Sequence, residues 1–264
     1  MSEFQPGNYW ENRFSSHYDE RGVGDIGLSR SYNRYLYLIR RHVFRRLVAM
    51  LGIRPDRIAV LDVGSGTGVY VEEWKRLGIR TLTGCDITAR AVEELAKRFP
   101  GDAFVQADIG EERPLPLTNG TFNVISAFDV LFHIVDDARY DHAIANVASL
   151  LSERGYFLYS DNLVANTEAS THYVSRAEPL ILATLERHKL EVIRRVPMFV
   201  LMNDPVRSNN RLLRRWFGVL YRIAGHSEWS GRMIGIVLVP IELFLTRVVS
   251  SGPSTEILVC RKRV

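Results

Sequence analysis

Residues 60–68, VLDVGSGTG, constrain this chain more than any other stretch. The run Ile58-Ala59-Val60-Leu61 has no polar alternation, which suits a strand buried on both faces of a parallel sheet. Asp62 stands at the strand end, and Gly64, Gly66 and Gly68 follow at alternate positions. A buried strand, a Gly-rich turn and then a helix make a nucleotide-binding corner. The spacing narrows the ligand. A dinucleotide fingerprint reads G-x-G-x-x-G, whereas the third Gly here arrives one residue early. No Lys follows the glycines, which excludes a P-loop. Asp62 would repel a pyrophosphate and suits a ligand that carries an ammonium group. On the loop alone, a variant nicotinamide or flavin site and a plain βα turn both stay open.

The flanking pattern supplies context. Strands are expected at 58–63, Thr81–Asp86, Ala103–Ala107, Phe122–Ala127, Tyr156–Ser160, Leu190–Val200 and Glu256–Arg261. Helices are expected at 28–51, Val69–Leu77, Thr88–Arg98, Ala138–Leu151 and Arg176–His188, and one helical turn at Tyr9–Phe14. Thr88 reads as an N-cap, and Gly52 and Gly78 as helix stops. The segment Gly110–Gly120, with Pro114 and Pro116, reads as a loop. Strands alternating with helices imply an α/β fold, a mostly parallel sheet covered on both faces. Such sheets bind ligands at the carboxyl ends of their strands. Asp86 ends the second strand, about twenty residues beyond the loop, where an acid accepts hydrogen bonds from a ribose. Asp108 ends the third.

D-x-G-S-G-T-G after a strand resembles motif I of the class I S-adenosylmethionine-dependent methyltransferases. The resemblance covers Val60 to about Val200. It implies a Rossmann-like sheet of seven strands, with the seventh inserted antiparallel beside the sixth. It also implies S-adenosyl-L-methionine as cofactor. Gly64, Gly66 and Gly68 then let the backbone approach the methionine moiety, and Asp62 acts near its amino group. Ser65 and Thr67 bond the carboxylate or cap the next helix. Asp86 takes the ribose and Asp108 the adenine amine, Ile87 or Ile109 packs on the ring, and Phe128 touches the cofactor.

The stretch after the fourth strand, Ala127-Phe128-Asp129-Val130-Leu131-Phe132-His133-Ile134, lacks the N/D-P-P-Y/F/W pattern of amino-directed nucleic-acid enzymes. It also lacks a Pro-Cys nucleophile. It resembles the D-V-L-x-H-[IV] stretch of the small-molecule, quinone-biosynthesis-like branch. His133 is therefore the candidate catalytic residue, as general base or orienting group; the competing reading is a His that packs the loop. Asp129 braces the same loop. Asp161 and Asn162 follow the fifth strand, with turn chemistry the plainer reading. Tyr9, Trp10, Tyr32 and Tyr35 either wall the acceptor site or belong to the core. The expected function is methyl transfer to a small-molecule acceptor. An RNA methyltransferase and a cofactor-binding but inactive partner protein are the alternatives.

Composition sets the outer bounds. The 264 residues, 46% hydrophobic and 24% charged, fit one globular domain with an elaboration. Net charge is +4, and the basic bias is uneven. No acid stands between Asp25 and Asp56, where seven arginines do. A second acid-free run separates Asp204 from Glu228. Solvated helix faces, an acidic substrate, an anionic membrane surface or nucleic acid would each suit such runs; nucleic acid is the least expected partner. Cys85 and Cys260 are the only cysteines and no metal-ligand spacing occurs, which suits a reducing cytoplasm and no bound metal. The polar N-terminus MSEFQPGNYW does not read as a signal peptide. No apolar run reaches membrane-spanning length.

Residues 1–57 read as an N-terminal helical lid segment ahead of a methyltransferase domain at 58–264; the resemblance implies that such a segment lies over the cofactor and substrate cleft. One stretch departs from the family's simplest plan. A helical insertion, 203–253, separates the last two strands. Its first helix carries Leu213, Trp216, Phe217 and Leu220 as a stripe. Its second, near Arg232–Val249, is apolar nearly all round and is expected to break or kink at Pro240. A cap over the acceptor site, a homodimer contact and a peripheral membrane contact are the three uses such helices would have.

Overall fold

The computed structural model describes residues 4–16, 18–19, 23–112 and 115–263. Met1–Glu3 of the polar N-terminus and Pro114 of the expected loop lie outside the described residues. The strands are β1 (Ala59–Val63), β2 (Thr81–Asp86), β3 (Ala103–Gln106), β4 (Phe122–Ala127), β5 (Leu151–Asp161), the short β6 (Glu168–Ala169) and β7 (Val174–Ser175), β8 (Leu190–Pro197) and β9 (Glu256–Lys262). The helices are α1 (Pro6–Ser16), α2 (Arg30–Met50), α3 (Val69–Arg76), α4 (Ala89–Arg98), α5 (Asp137–Leu150), α6 (Glu178–Arg187), α7 (Arg211–His226) and α8 (Glu228–Val248).

Seven strands form one sheet in the order β3-β2-β1-β4-β5-β9-β8, while β6 and β7 pair separately and antiparallel. β1 runs parallel to β2 and β4, β2 to β3, and β4 to β5. The chain reverses its direction of travel across the sheet between β1 and β4. That is the switch point at which a parallel sheet opens a crevice at its carboxyl edge. β9 lies beside β8, between it and β5, as the family resemblance implies.

The chain divides into two compact units. The first comprises Met1–Ser15, Arg54–Arg194 and Leu258–Val264; the second comprises Ser16–Ile53 and Arg195–Ile257. In the first, Leu61, Ile125, Phe157 and Leu258 of the strands are fully buried, together with Ile144 and Val147 of α5 and Ile181 and Leu185 of α6. Helix starts follow local chemistry: Thr88 Oγ1 accepts from the Ala91 N–H, and Asp136 Oδ1 accepts from the Arg139 N–H.

Several sequence expectations need correction in this unit. α1 is a helix of three turns rather than one. β5 begins at Leu151, five residues early, because the chain leaves α5 straight into extended backbone. Arg154-Gly155 therefore lies within the strand, with Arg154 at φ 58, and the β4–β5 register shifts between Phe122 and Val124. Arg176 does not open a helix. It is buried, its Nε donates to Asp137 Oδ1 at 2.9 Å and its Nη2 to the Ile134 carbonyl at 2.8 Å. The β6–β7 pair was unforeseen; two-residue strands show no periodicity.

The second unit is built on α2. Ser29 caps it by accepting from the Tyr32 N–H, and Gly52 closes it at φ 62. α8 packs along α2 through a face of small and polar residues. A Cβ on Gly231 would strike Ser29 Oγ, and one on Gly235 would strike the Tyr35 ring. The buried Glu242 carboxylate accepts from the Val200 and Leu201 N–H groups at 2.6 and 2.9 Å. Tyr32 is interior rather than a wall of any site, and its hydroxyl donates to the Met202 carbonyl at 2.7 Å. α8 also starts earlier than expected and runs unbroken through Pro240. Among the described residues no helix is long and apolar enough to cross a membrane.

The close approach of α8 to α2 makes a direct prediction. Gly235→Leu should destabilise the protein by about 1–3 kcal/mol, because the added side chain must displace the Tyr35 ring. Denaturant unfolding measures this, and an unchanged midpoint would contradict the packing described.

Candidate functional site

The glycine loop has its conformation forced from both sides. Gly64, Gly66 and Gly68 adopt φ of 66, 50 and 80°, the left-handed region that side chains with a Cβ avoid. Added Cβ atoms would also strike Val130 at Gly64 and Leu95 at Gly68. The loop is then pinned to the end of β2. The Gly64 and Ser65 N–H groups both donate to the Cys85 carbonyl, at 2.8 and 3.1 Å, and the Gly66 N–H donates to Asp86 Oδ2 at 2.8 Å.

Asp86 is buried and also accepts at Oδ1 from the Thr88 N–H and Thr88 Oγ1, at 2.9 and 2.7 Å. Burial raises its pKa despite these donors. Asp62 is buried at the end of β1, and its Oδ1 accepts from Ser126 Oγ at 2.6 Å. Ser126 Oγ in turn accepts from Trp74 Nε1 at 3.1 Å. Ser65 Oγ donates to the Asp62 carbonyl at 2.9 Å. Burial pushes the Asp62 carboxyl up to about 7, against the pull of these hydroxyls. Thr67 Oγ1 is buried and has no hydrogen-bond partner in the chain. Buried hydroxyls are nearly always satisfied, so this one fits a partner from outside the chain.

Asp108 accepts from the Gly110 N–H at 2.8 Å and pairs with Arg139 Nη2 at 2.5 Å. Arg139 carries no signal in the sequence that marks it as this partner. Ile109 belongs to the core cluster, whereas Ile87 is half-buried and faces Gly7 of α1. Phe128 is buried and stacks on Tyr70 of α3 at 4.2 Å between ring centres. Asp129 takes φ 58, and its N–H donates to Ser160 Oγ at 2.7 Å, the bracing role expected of it. Asp161 is buried, its carboxyl pushed up to about 7 by desolvation, and it accepts from the Asn162 N–H at 2.7 Å.

His133 ends a 3₁₀ turn, Leu131–His133, and is half-buried. Its Nδ1 lies 2.9 Å from the His172 carbonyl, so Nδ1 carries the proton and Nε2 keeps its lone pair. The edge of the Trp10 ring meets the imidazole at 4.8 Å, and Tyr9 stacks on His172 at 5.4 Å. Arg13 sits over the Trp10 ring at 5.2 Å. Desolvation lowers the His133 pKa to about 4, so the ring is neutral near pH 7. α1 and the β6–β7 turn thus bring Tyr9, Trp10, Arg13 and His172 around His133. Tyr9 and Trp10 were among the aromatics considered from the sequence; Arg13 and His172 were not, since both sit in stretches of weak pattern.

A raised carboxyl pKa has a stability consequence with a fixed sign. Asp62 favours the folded state fully below its ordinary value near 3.8 and loses that contribution as pH rises through about 7. The wild-type protein should therefore lose stability relative to Asp62→Asn between those pH values. Thermal unfolding of the two proteins across pH 4–7.5 measures it; parallel curves would contradict a buried, protonatable Asp62.

Comparison with known proteins bears on the domain and the fold. Residues 60–155 match a family model described as a methyltransferase domain. Nodulation protein S of Sinorhizobium fredii is 27% identical over 134 residues, 51% of this chain and 60% of that protein. The curated relatives are matched over only 42–60% of their own length. Among solved structures, the N-methyltransferase NodS from Bradyrhizobium japonicum, bound to S-adenosyl-L-homocysteine, aligns with a TM-score of 0.57 at 14% identity, covering 98% of this chain and 99% of that one. Magnesium protoporphyrin IX methyltransferase from Synechocystis, with S-adenosylmethionine bound, aligns at 0.58 and 16% identity over 99% of both chains. At such identities these two structures speak to the fold. Residues 60–155 thus resemble a methyltransferase domain, and the motif and sheet order around them are those of the class I S-adenosylmethionine-dependent fold.

Proposed function

We propose that this chain transfers a methyl group from S-adenosyl-L-methionine to a small-molecule acceptor. The observation that carries the reading is the convergence, at one sheet edge, of a left-handed glycine loop with the buried carboxylates Asp62 and Asp86. A phosphate-bearing nucleotide is a poor match for two buried acids; a ligand with an ammonium group and ribose hydroxyls is a good one.

In this reading the loop Gly64–Gly68 holds the methionine end, with Ser65 and the unsatisfied Thr67 hydroxyl as polar partners. Asp62 faces the amino group. Asp86 uses three of roughly four acceptor positions within the chain, which leaves capacity for a ribose hydroxyl. Asp108, held by Arg139, meets the adenine amine. Ring packing falls to Ile87, because Ile109 is spent in the core. Phe128 supports the pocket through its stack on Tyr70.

The cofactor, when bound, supplies a methyl group already activated on a sulfonium. What the chain contributes is alignment of the nucleophile and exclusion of water. His133 orients the methyl acceptor through its unprotonated Nε2, and takes a proton there if the nucleophile loses one. Its lowered pKa makes it a weak base but keeps it unprotonated across the neutral range. The aromatic walls Tyr9 and Trp10, with Arg13 beside them, suit a partly apolar acceptor that bears negative charge.

Asp86→Ala should weaken binding of S-adenosylhomocysteine by about 1.5–3 kcal/mol, read by calorimetry on a variant whose melting shows it folded. Unchanged affinity would remove Asp86 from the site and undercut the proposal. His133→Ala should lower turnover by roughly 100-fold at little cost in cofactor affinity. At saturating cofactor, the wild-type rate should show no acid limb near pH 6.5. A limb there that vanishes in the variant would mean that His133 titrates normally and is not the desolvated ring described.

A further inference from the structure

The helix pair α7–α8 is turned inside out. The buried positions of α8 are Ser230, Gly231, Gly235, Leu238, Glu242 and Thr246, only one of them a large apolar residue. Its exposed positions include Trp229, Met233, Ile236, Val237, Ile241, Phe244 and Val248, between 42 and 73% accessible. Their spacing in threes and fours along 21 residues places them on one broad face. α7 repeats the arrangement. Leu220 and Ala224 are buried, while Leu212, Trp216, Val219 and Ile223 form a second stripe that points outward. The sequence groups Trp216 with Leu213, Phe217 and Leu220 instead, and spacing alone does not reveal this second stripe. Of the seventeen large apolar side chains exposed among the described residues, eleven lie on these two consecutive helices. A face of that extent marks a binding surface rather than scattered exposure.

Charge selects the occupant. Arg211, Arg214, Arg215, Arg222, Arg232 and Arg247 are all exposed on the same two helices. The two helices carry only two acids. Glu242 is buried, and Glu228 accepts from the Arg30 and Ser31 N–H groups. In a two-fold dimer this patch would meet itself, setting arginines against arginines with no carboxylates to pair them. An anionic lipid surface offers the complementary charge and an apolar layer for the side chains between. Trp229, 73% accessible, has the amphipathic ring that lies at a headgroup boundary, while Trp216 keeps its Nε1 on the Leu201 carbonyl at 3.1 Å and offers its ring face.

We infer that the outer faces of α7 and α8 seat this protein in the plane of an anionic membrane surface, apolar side chains in the acyl boundary and arginines among the headgroups. The inference stands apart from the methyl-transfer reading, since none of these residues belongs to the loop or carboxylate site.

Flotation of the full chain with phosphatidylcholine vesicles, with and without phosphatidylglycerol, tests it. The protein should float with the anionic vesicles and at least about ten-fold less with neutral ones or at high salt. The double variant Trp229→Ser/Phe244→Ser should lose binding at least about ten-fold, with its unfolding transition unchanged because both side chains are exposed. Triple replacement of Arg211, Arg215 and Arg222 by Gln should do the same for the anionic preference. Absence of flotation, or full flotation by the Trp229/Phe244 variant, overturns the inference. So does a stable dimer, seen by sedimentation, that the same variant converts to monomer.

Discussion

The hydrogen bond from the Gly66 N–H to Asp86 Oδ2 joins the two parts of the site that the sheet only brings near. β1 and β2 lie side by side in register from Ala59 opposite Thr81 to Val63 opposite Cys85, so the loop after β1 and the acid at the end of β2 meet without further adjustment. The loop can make that contact because three glycines tolerate left-handed backbone. Asp86 can make it because Thr88 supplies two further donors to a carboxylate removed from water. Each part depends on the other. Without Asp86 the Gly66 N–H loses this bond, and without the glycines the loop cannot fold back to it.

Burial of acids is the electrostatic theme of the same edge. Asp62, Asp86 and Asp161 all have pKa values raised by desolvation. An uncompensated buried carboxylate is costly and tends to take up a proton instead. Ser126, itself held by Trp74, offsets part of that cost at Asp62. A cation held beside Asp62 would offset more, which is why the proposal places the cofactor's amino group there. His133 shows the converse: a group that is usually half-charged is kept neutral by the same desolvation.

The sheet was legible because its signals are local. β2 and β4 fall where alternation of strands and helices puts them; Asp86 is the last residue of β2, Asp62 the last but one of β1, and Asp108 lies two residues beyond β3. What escaped was long-range or too short to show a period. Arg139 reaches Asp108 across 31 positions, and His172 meets His133 across 39. Arg176 has the charge of a surface residue yet is buried against Asp137 and the Tyr140 ring. Periodicity does not settle which side of a helix is covered. Trp216 fits either stripe of α7 by spacing, and packing leaves its ring exposed while its Nε1 donates to the Leu201 carbonyl. The apolar character of α8 was visible; that its polar residues face inward was not, because Glu242 finds its donors in the distant Val200–Met202 backbone.

Methyl transfer by this chain requires the cofactor to occupy the edge formed by the glycine loop and the end of β2. Titrating isotope-labelled protein with S-adenosylhomocysteine, and following backbone amide resonances, observes that edge directly. Saturable shifts centred on Gly64, Ser65, Gly66 and Ile87 are expected, with the α7 and α8 amides unmoved. Saturable binding whose shifts lie elsewhere, or no binding at all, would contradict a cofactor at this edge.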